Sequence, residues 1–397
     1  MEKLRRRHNT LVQNTDLSFK RYLINLLPWD ERLIGIKGSR GVGKTTMLLQ
    51  YIKEHYHLDT KALYLALDDL YFTENDLIDL VEEFVSKGGE HLFIDEVHKY
   101  KNWSIALKQI HDTYLNLRVV FTGSSLLEIL NSRSDLSRRA LVYEMQGLSY
   151  REFLNLHLNT DFEKLTLIDV LENHIELSAN ISSKIKPLKE FEIYLKVGYF
   201  PFYAGNQELY FKRILEVINM ILEIELPMLR NTDISIVSKI KQLLYIVSQS
   251  VPFKPNITSL ANKIQITRKT LLEYLNYLNE AKLFHSIHKN THGIGALQKP
   301  EKLFLDNTNY MFAIMEESPE KGNIRETFFL NQLSQGFAVT YPEHGDFLVE
   351  NKFTFEIGGK NKSAKQITEI PEAFIAADEI EIGFENKIPL WLFGFLY

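Results

Sequence analysis

Nine consecutive residues, Gly38, Ser39, Arg40, Gly41, Val42, Gly43, Lys44, Thr45 and Thr46, contain the pattern G-x-x-x-x-G-K-[ST] without a mismatch. The chemistry of such a loop is the gripping of a triphosphate. Glycines let the backbone curl until successive N–H groups point inward at phosphate oxygens. The helix that follows adds partial positive charge at the same point. Lys44 is expected to reach the β- and γ-phosphates, and the Thr45 hydroxyl to ligate Mg2+. Arg32 to Lys37 reads as a short buried strand before the loop, and Thr46 to Ile52 as the helix after it. That setting weighs against the alternative, a glycine-rich turn carrying a surface lysine.

A second apolar run, Leu92-Phe93-Ile94, ends in Asp95-Glu96. Acids at the carboxyl end of a buried parallel strand stand where ligands bind. Asp95 is expected to hold the Mg2+ shell, and Glu96 to polarise the attacking water as general base. Without the upstream loop, the pair would read as an ordinary strand end with two surface acids. A third run, Leu117 to Phe121, leads into Thr122-Gly123-Ser124-Ser125. Ser124 and its neighbours could hydrogen-bond the γ-phosphate or the lytic water, although Ser and Thr are also common turn residues. Arg138 and Arg139 precede the strand-like Leu141 to Met145. They read either as an arginine finger acting on the phosphoryl transition state or as a solvated pair at a helix end.

The elements that must position these groups follow from the pattern. A further strand, Ala62 to Leu67, runs into Asp68-Asp69. Its alternation with helical stretches predicts an α/β fold, the doubly wound parallel sheet of a P-loop NTPase. At 397 residues the chain exceeds one compact core, and two to four domains are expected. A net charge of −5 gives no global basic field, so any nucleic-acid contact must be local. The absence of cysteine excludes disulfides, thiolate zinc sites and cysteine nucleophiles. None of the twelve histidines falls in a metal-ligand spacing. The N-terminal residues lead into polar sequence, and the longest apolar run, Leu390 to Tyr397, is too short to cross a bilayer. The expectation is a cytoplasmic protein without a membrane partner.

Beyond the core, helical periodicity marks Asp169 to Ile185 and Tyr210 to Leu222. Two further helices, Ile257 to Ile264 and Arg268 to Leu283, with the strand Phe284 to Ile287, form a helix-turn-helix pattern with a wing. Arg268, Lys269 and Thr270 would stand where groove contacts are made, while Glu273 and Glu280 would be repelled by phosphate. DNA and a protein partner both remain open. In the tail, Glu326, Asp346 and Glu356 are candidate metal-binding carboxylates of a nuclease. The lysine such chemistry needs belongs two residues after the last acid, where Gly358 stands. Lys360 lies about 7 Å further along an extended strand, so the fold without efficient cleavage is expected.

The segments Gly38–Thr46, Leu92–His98, Phe121–Ser125 and Gly147–Phe153 together resemble prokaryotic ATPases of the AAA+ superfamily whose C-terminal region is a domain of unknown function. The resemblance implies an AAA+ core over 1–155, a helical segment over 156–235, a winged helix over 236–300 and a degenerate restriction-endonuclease-like domain over 301–397. Relatives of this kind usually carry glycine before the last arginine ahead of the final core strand. Arg138 occupies that glycine place here, so Arg139 is the position carried over as the finger. The expected activity is Mg2+-dependent ATP hydrolysis, with ATP and ADP as ligands, a protein or DNA partner for the C-terminal modules, and a homo-oligomer where the finger acts between subunits. A nucleotide-loaded switch and a nucleotide-gated nuclease are the alternatives.

Overall fold

The computed structural model describes residues 1–123, 136, 138–227, 234–249, 254–289, 299–315, 318–363, 367 and 369–397. The chain divides into two compact units, Met1–Gly147 and Leu148–Tyr397.

Unit one is a five-stranded parallel sheet in the order β2-β3-β4-β1-β5. Its strands are β1 (Leu33–Lys37), β2 (Ala62–Ala66), β3 (His91–Asp95), β4 (Arg118–Gly123) and β5 (Leu141–Glu144). Among the described residues, four α-helices accompany them: α1 (Glu2–Asn14), α2 (Lys44–His55), α3 (Leu77–Ser86) and α4 (Trp103–Thr113). Central strands β1 and β3 are buried almost throughout, so their sequences read as unbroken apolar runs instead of alternating ones. Leu63, Leu65, Leu92, Ile94, Val119 and Phe121 on one face meet Leu80, Val81, Phe84, Trp103, Leu107 and Ile110 of α3 and α4 in one core cluster. Helix α3 starts where Asp76 accepts the Ile78 N–H, and it buries Leu77, Leu80, Val81 and Phe84 along a single stripe. β1 lies between β4 and β5, next to the point where strand order reverses, and the loop after it therefore opens at the carboxyl edge of the sheet.

Unit two begins with α5 (Tyr150–Leu158), whose start is a capping box between Ser149 and Glu152. Helices α6 (Leu167–Lys184), α7 (Pro187–Val197) and α8 (Gln207–Met220) follow. Next come α9 (Ile234–Ser248), α10 (Ile257–Lys263), α11 (Arg268–Glu280) and the antiparallel pair β6 (Phe284–Ile287) and β7 (Lys302–Leu305). Thr267 caps α11 through the Thr270 N–H, and Leu271, Tyr274, Leu275 and Leu278 form its buried side. Helices α12 (Thr308–Ile314) and α13 (Lys321–Leu333) lead into a mixed sheet in the order β12-β11-β10-β9-β8. Those strands are β8 (Val339–Thr340), β9 (Phe347–Val349), β10 (Phe353–Gly358), β11 (Ala373–Ala377) and β12 (Lys387–Pro389).

Candidate active site

The phosphate loop folds as its residues dictate. Gly41 and Gly43 have φ of 84° and 101°, in the left-handed region that side chains resist, and Gly43 is the cap from which α2 starts. Gly38 is fixed for another reason: a Cβ there would lie 2.2 Å from the Met145 carbonyl oxygen. Lys44 is buried, and its Nζ donates to the Gly38 and Ser39 carbonyls at 2.7 and 2.9 Å. Arg21 braces the loop from outside. Its buried guanidinium donates to the Val42 carbonyl and, at 2.8 Å each, to those of Gln146 and Gly147. Arg40 is partly exposed and Thr46 exposed, at the rim of the same loop.

Asp95 is the hub of the site. Its Oδ2 accepts from Thr45 Oγ1 at 2.6 Å and from Tyr64 Oη at 2.9 Å. Its Oδ1 accepts from Thr122 Oγ1 and from the Glu96 N–H at 3.2 Å. Mg2+ takes oxygen ligands at about 2.1 Å in octahedral geometry, which sets neighbouring ligand oxygens about 3 Å apart. Thr45 and Asp95 thus supply two oxygens of the right kind at the right separation, and the site fits the ion.

Glu96 follows in a left-handed conformation, φ 55° and ψ 42°, unusual for a side chain of this size and a mark of a position under constraint. Its Oε2 lies 3.5 Å from Nε2 of His98, whose ring is fully enclosed. Burial, reinforced by Lys99, Lys44 and Arg40, pulls the His98 pKa down to about 3. The ring is therefore neutral at physiological pH, a polar contact for Glu96 that does not neutralise it.

The structure thus brings together the Gly38–Thr46 loop, Asp95 and Glu96. The hydroxyl at the end of β4 that meets them is Thr122, directed at Asp95 and 3.3 Å from the Glu96 N–H. Ser124 lies outside the described residues. Arg139 is turned to its own unit, where Nε and Nη2 grip Asp112 at 2.8 and 3.0 Å. That clasp, with His111 adding to it, holds the Asp112 carboxyl down to about 2. Arg138 has φ of 67°, a conformation that favours glycine. Arg21 and Tyr64 carried no signal in the sequence, because each acts on partners far away along the chain.

Unit two holds a second cluster of charge. Lys302 is buried on β7 and its Nζ lies 3.0 Å from Glu326 and 3.6 Å from Asp346. Asp346 Oδ2 accepts from the Ile357 N–H at 2.9 Å, and Lys362 Nζ meets the buried Glu356 at 2.5 Å. The three expected carboxylates do share one neighbourhood, yet the lysine on Glu356 is Lys362, two residues beyond Lys360. Gly358 permits this: a Cβ at that position would stand 2.6 Å from the Lys362 Cβ and Cγ. Burial raises the Glu326 pKa despite Lys302. Among the described residues, no group of three His, Cys, Asp or Glu side chains is disposed to hold a metal ion.

Residues 30–154 match a protein-family model described as an AAA domain. The match covers most of the N-terminal unit, which is thus an AAA-type domain. Its parallel sheet and phosphate loop are those of a nucleotide-binding fold. Along nearly the whole chain, the protein is similar to two uncharacterized proteins of Methanocaldococcus jannaschii. MJ1637 is 27% identical over 395 residues, covering 90% of this chain and 82% of that protein. MJ1544 is 25% identical over 390 residues, covering 90% and 80%. Among solved structures, the Walker-type ATPase PABY2304 of Pyrococcus abyssi aligns with a TM-score of 0.42 and 13% identity, covering 78% of this chain and 95% of its own. Aeropyrum pernix Orc1 in complex with DNA aligns with a TM-score of 0.31 and 13% identity, covering 80% and 92%. No helix among the described residues is long and apolar enough to cross a membrane.

Proposed function

We propose that this protein is a Mg2+-dependent ATPase whose AAA domain drives or gates contacts made by its C-terminal unit. The observation that carries this reading is the meeting of Thr45 and Asp95 at 2.6 Å beside the Gly38–Thr46 loop. Two oxygens suited to Mg2+ stand where the phosphate chain would be cradled. When bound, the ion neutralises charge on the β- and γ-phosphates. Lys44 adds positive charge within the loop, and the amides of Gly38 to Thr46 line the cradle. Glu96 accepts the proton of the attacking water, and Thr122 holds Asp95 and the Glu96 backbone in register. Arg139 supplies a finger to a neighbouring subunit on leaving Asp112.

Two substitutions test the core of this reading. K44A should lose ATP binding, measured with a fluorescent ATP analogue. E96Q should bind with unchanged affinity and lose turnover, measured as phosphate release. ATP hydrolysis at the wild-type rate by purified K44A protein would refute it. Wild-type turnover indistinguishable from E96Q would instead favour the nucleotide-loaded switch.

For the C-terminal unit, the helices α10 and α11 with the β6–β7 pair support a winged-helix reading. A concavity of about 420 Å³ there is lined by Lys254, Arg268 and Lys299, with Glu301 as its one acid. Three cations against one carboxylate favour a phosphate backbone, and DNA is the partner this surface supports best. Loss of DNA binding in a K254A/R268A/K299A variant, with a shallower salt dependence, is the expected result. The acids of the tail are met by Lys302 and Lys362, which supports a domain that binds or braces without cleaving DNA.

A further inference from the structure

Tyr64 sits on β2, one of the two outer strands of the AAA sheet as described, and belongs to none of the nucleotide-binding motifs. In the parallel register it lies across from Phe93, and Ala66 lies across from Asp95. Tyr64, Ala66, Phe93 and Asp95 share one face of the sheet by the alternation of strands. The small side chain of Ala66 leaves the diagonal open, and the phenol reaches along it to donate to Asp95 Oδ2 at 2.9 Å. Both residues are buried, so water does not compete for this bond. The same oxygen of Asp95 is the one that meets Thr45. The backbone of Tyr64 is fixed from the opposite direction. Its N–H points outward from the sheet edge and donates at 2.9 Å to Nδ1 of His8, a buried ring on α1.

We propose that Tyr64 is a positioning residue for the magnesium ligand Asp95, and that His8 of the N-terminal helix holds Tyr64 in place for that task. The inference rests on the reading of Thr45 and Asp95 as ion ligands. A carboxylate free to rotate presents its oxygen to the ion only part of the time. One held by Thr122 on one oxygen and Tyr64 on the other presents Oδ2 in a single orientation. Groups of this kind, one bond removed from the metal, change its affinity by about 10- to 100-fold when removed. The N-terminal helix thereby gains a route to the ion: α1 fixes the β2 backbone, and β2 carries the phenol.

Y64F deletes a single atom and keeps the ring in the core. Mn2+ titrated into ATP-loaded protein and followed by electron paramagnetic resonance reads the ion directly, and phosphate release against Mg2+ concentration reads its consequence. Y64F should require 10- to 100-fold more of either ion, with ATP-analogue binding in EDTA and the thermal midpoint little changed. H8A should move the ion requirement in the same direction, and H8N, which keeps an acceptor at the place of Nδ1, should recover most of the loss. Should Y64F bind Mn2+ as tightly as the wild type, or lose ATP binding in EDTA to the same degree as ion binding, Tyr64 is a packing residue and the inference falls. H8A protein with wild-type ion affinity would overturn the part assigned to His8. Failure of the wild type itself to take up Mn2+ with ATP present would remove the underlying reading of Asp95 as well.

Discussion

Replacing Lys302 with Met tests the charge balance at the heart of the C-terminal unit. The ammonium faces Glu326 at 3.0 Å and Asp346 at 3.6 Å, and it is buried. At an effective dielectric constant of about 20, attractions across those distances amount to about 5 kcal/mol each before desolvation is counted. Desolvation of the three charges offsets much of this, so the pairing adds little net stability over an apolar core. Removing one partner is another matter. It leaves two partly buried carboxylates with no cation between them, at a cost approaching the roughly 3–5 kcal/mol of a fully buried pair. Against a total stability of about 5–15 kcal/mol for a domain, the K302M midpoint in urea should fall steeply. Trp391 is buried in this unit and reports on it once Trp29 and Trp103 are changed to Phe. The loss must also depend on pH with a definite sign. Glu326 already has its pKa raised by burial, and removing Lys302 raises it further. A carboxyl whose folded pKa exceeds its unfolded value keeps its stability below the unfolded value and loses it as pH rises through the folded one. The gap between wild type and K302M should therefore be widest at pH 8 and narrow toward pH 5. The K302M/E326L pair, with both charges gone, should recover part of the loss. A K302M protein within about 1 kcal/mol of wild type at pH 8, or a gap that does not change with pH, would refute the reasoning.

Four further outcomes are expected. R139A should bind ATP normally and hydrolyse it about 10³-fold more slowly, whereas D112A, which frees the finger, should not slow it; equal losses in the two would make the pair structural. His8, His91 and His98 have their pKa values drawn down to about 4, 3 and 3 by burial, each aided by a neighbouring cation. Stability tied to these rings is present above pH 6.5 and is lost as pH falls toward those values. Unfolding of the AAA domain followed by denaturant at pH 6.5 and 5 should show about 2 kcal/mol lost per histidine, and H8N should flatten the slope by about a third. G38A should bind no ATP analogue and unfold earlier than wild type, because its Cβ would meet the backbone carbonyl of Met145 instead of a side chain that can move. Lys362→Ala should leave the AAA activity untouched and destabilise the C-terminal unit, as it strips the cation from the buried Glu356.

What could be read from the residues in advance was whatever has a local signature. The phosphate loop, the acid pair after β3, the capped start of α11 and the strand Phe284–Ile287 all announce themselves within ten residues or so. The doubly wound sheet follows from their alternation, and the observed order β2-β3-β4-β1-β5 is a parallel sheet of that kind. Helix α1 carried no assignment, because its buried residues, Leu4, His8 and Val12, make a narrow stripe among charges. Strands β8 and β12 are two and three residues long, too short for a period to register. Lys302 was equally silent: a lone lysine in a strand sequence reads as a surface residue until Glu326 and Asp346 are placed against it.

The contrast between the two charged clusters is physical as well as historical. In the AAA domain, every donor to Asp95 among the described residues is neutral: two threonine hydroxyls, a phenol and a backbone N–H. Neutral donors orient a carboxylate while leaving its charge, so the site retains the negative potential a divalent cation requires. In the C-terminal unit, Glu326, Asp346 and Glu356 are met instead by the ammonium groups of Lys302 and Lys362. Among the described residues, three carboxylates against two ammoniums leave little charge for an incoming ion, and the ammonium on Glu326 and Asp346 would have to be displaced. Similar carboxylates are thus prepared for opposite ends by the charge of their partners. Exchanging that charge is the way to exchange the behaviour: Y64K, which would place an ammonium against Asp95, should abolish the response of the ATP-loaded protein to Mg2+ more completely than Y64F. A Y64K protein that still took up Mn2+ like the wild type would show that donor charge is not what separates the two sites.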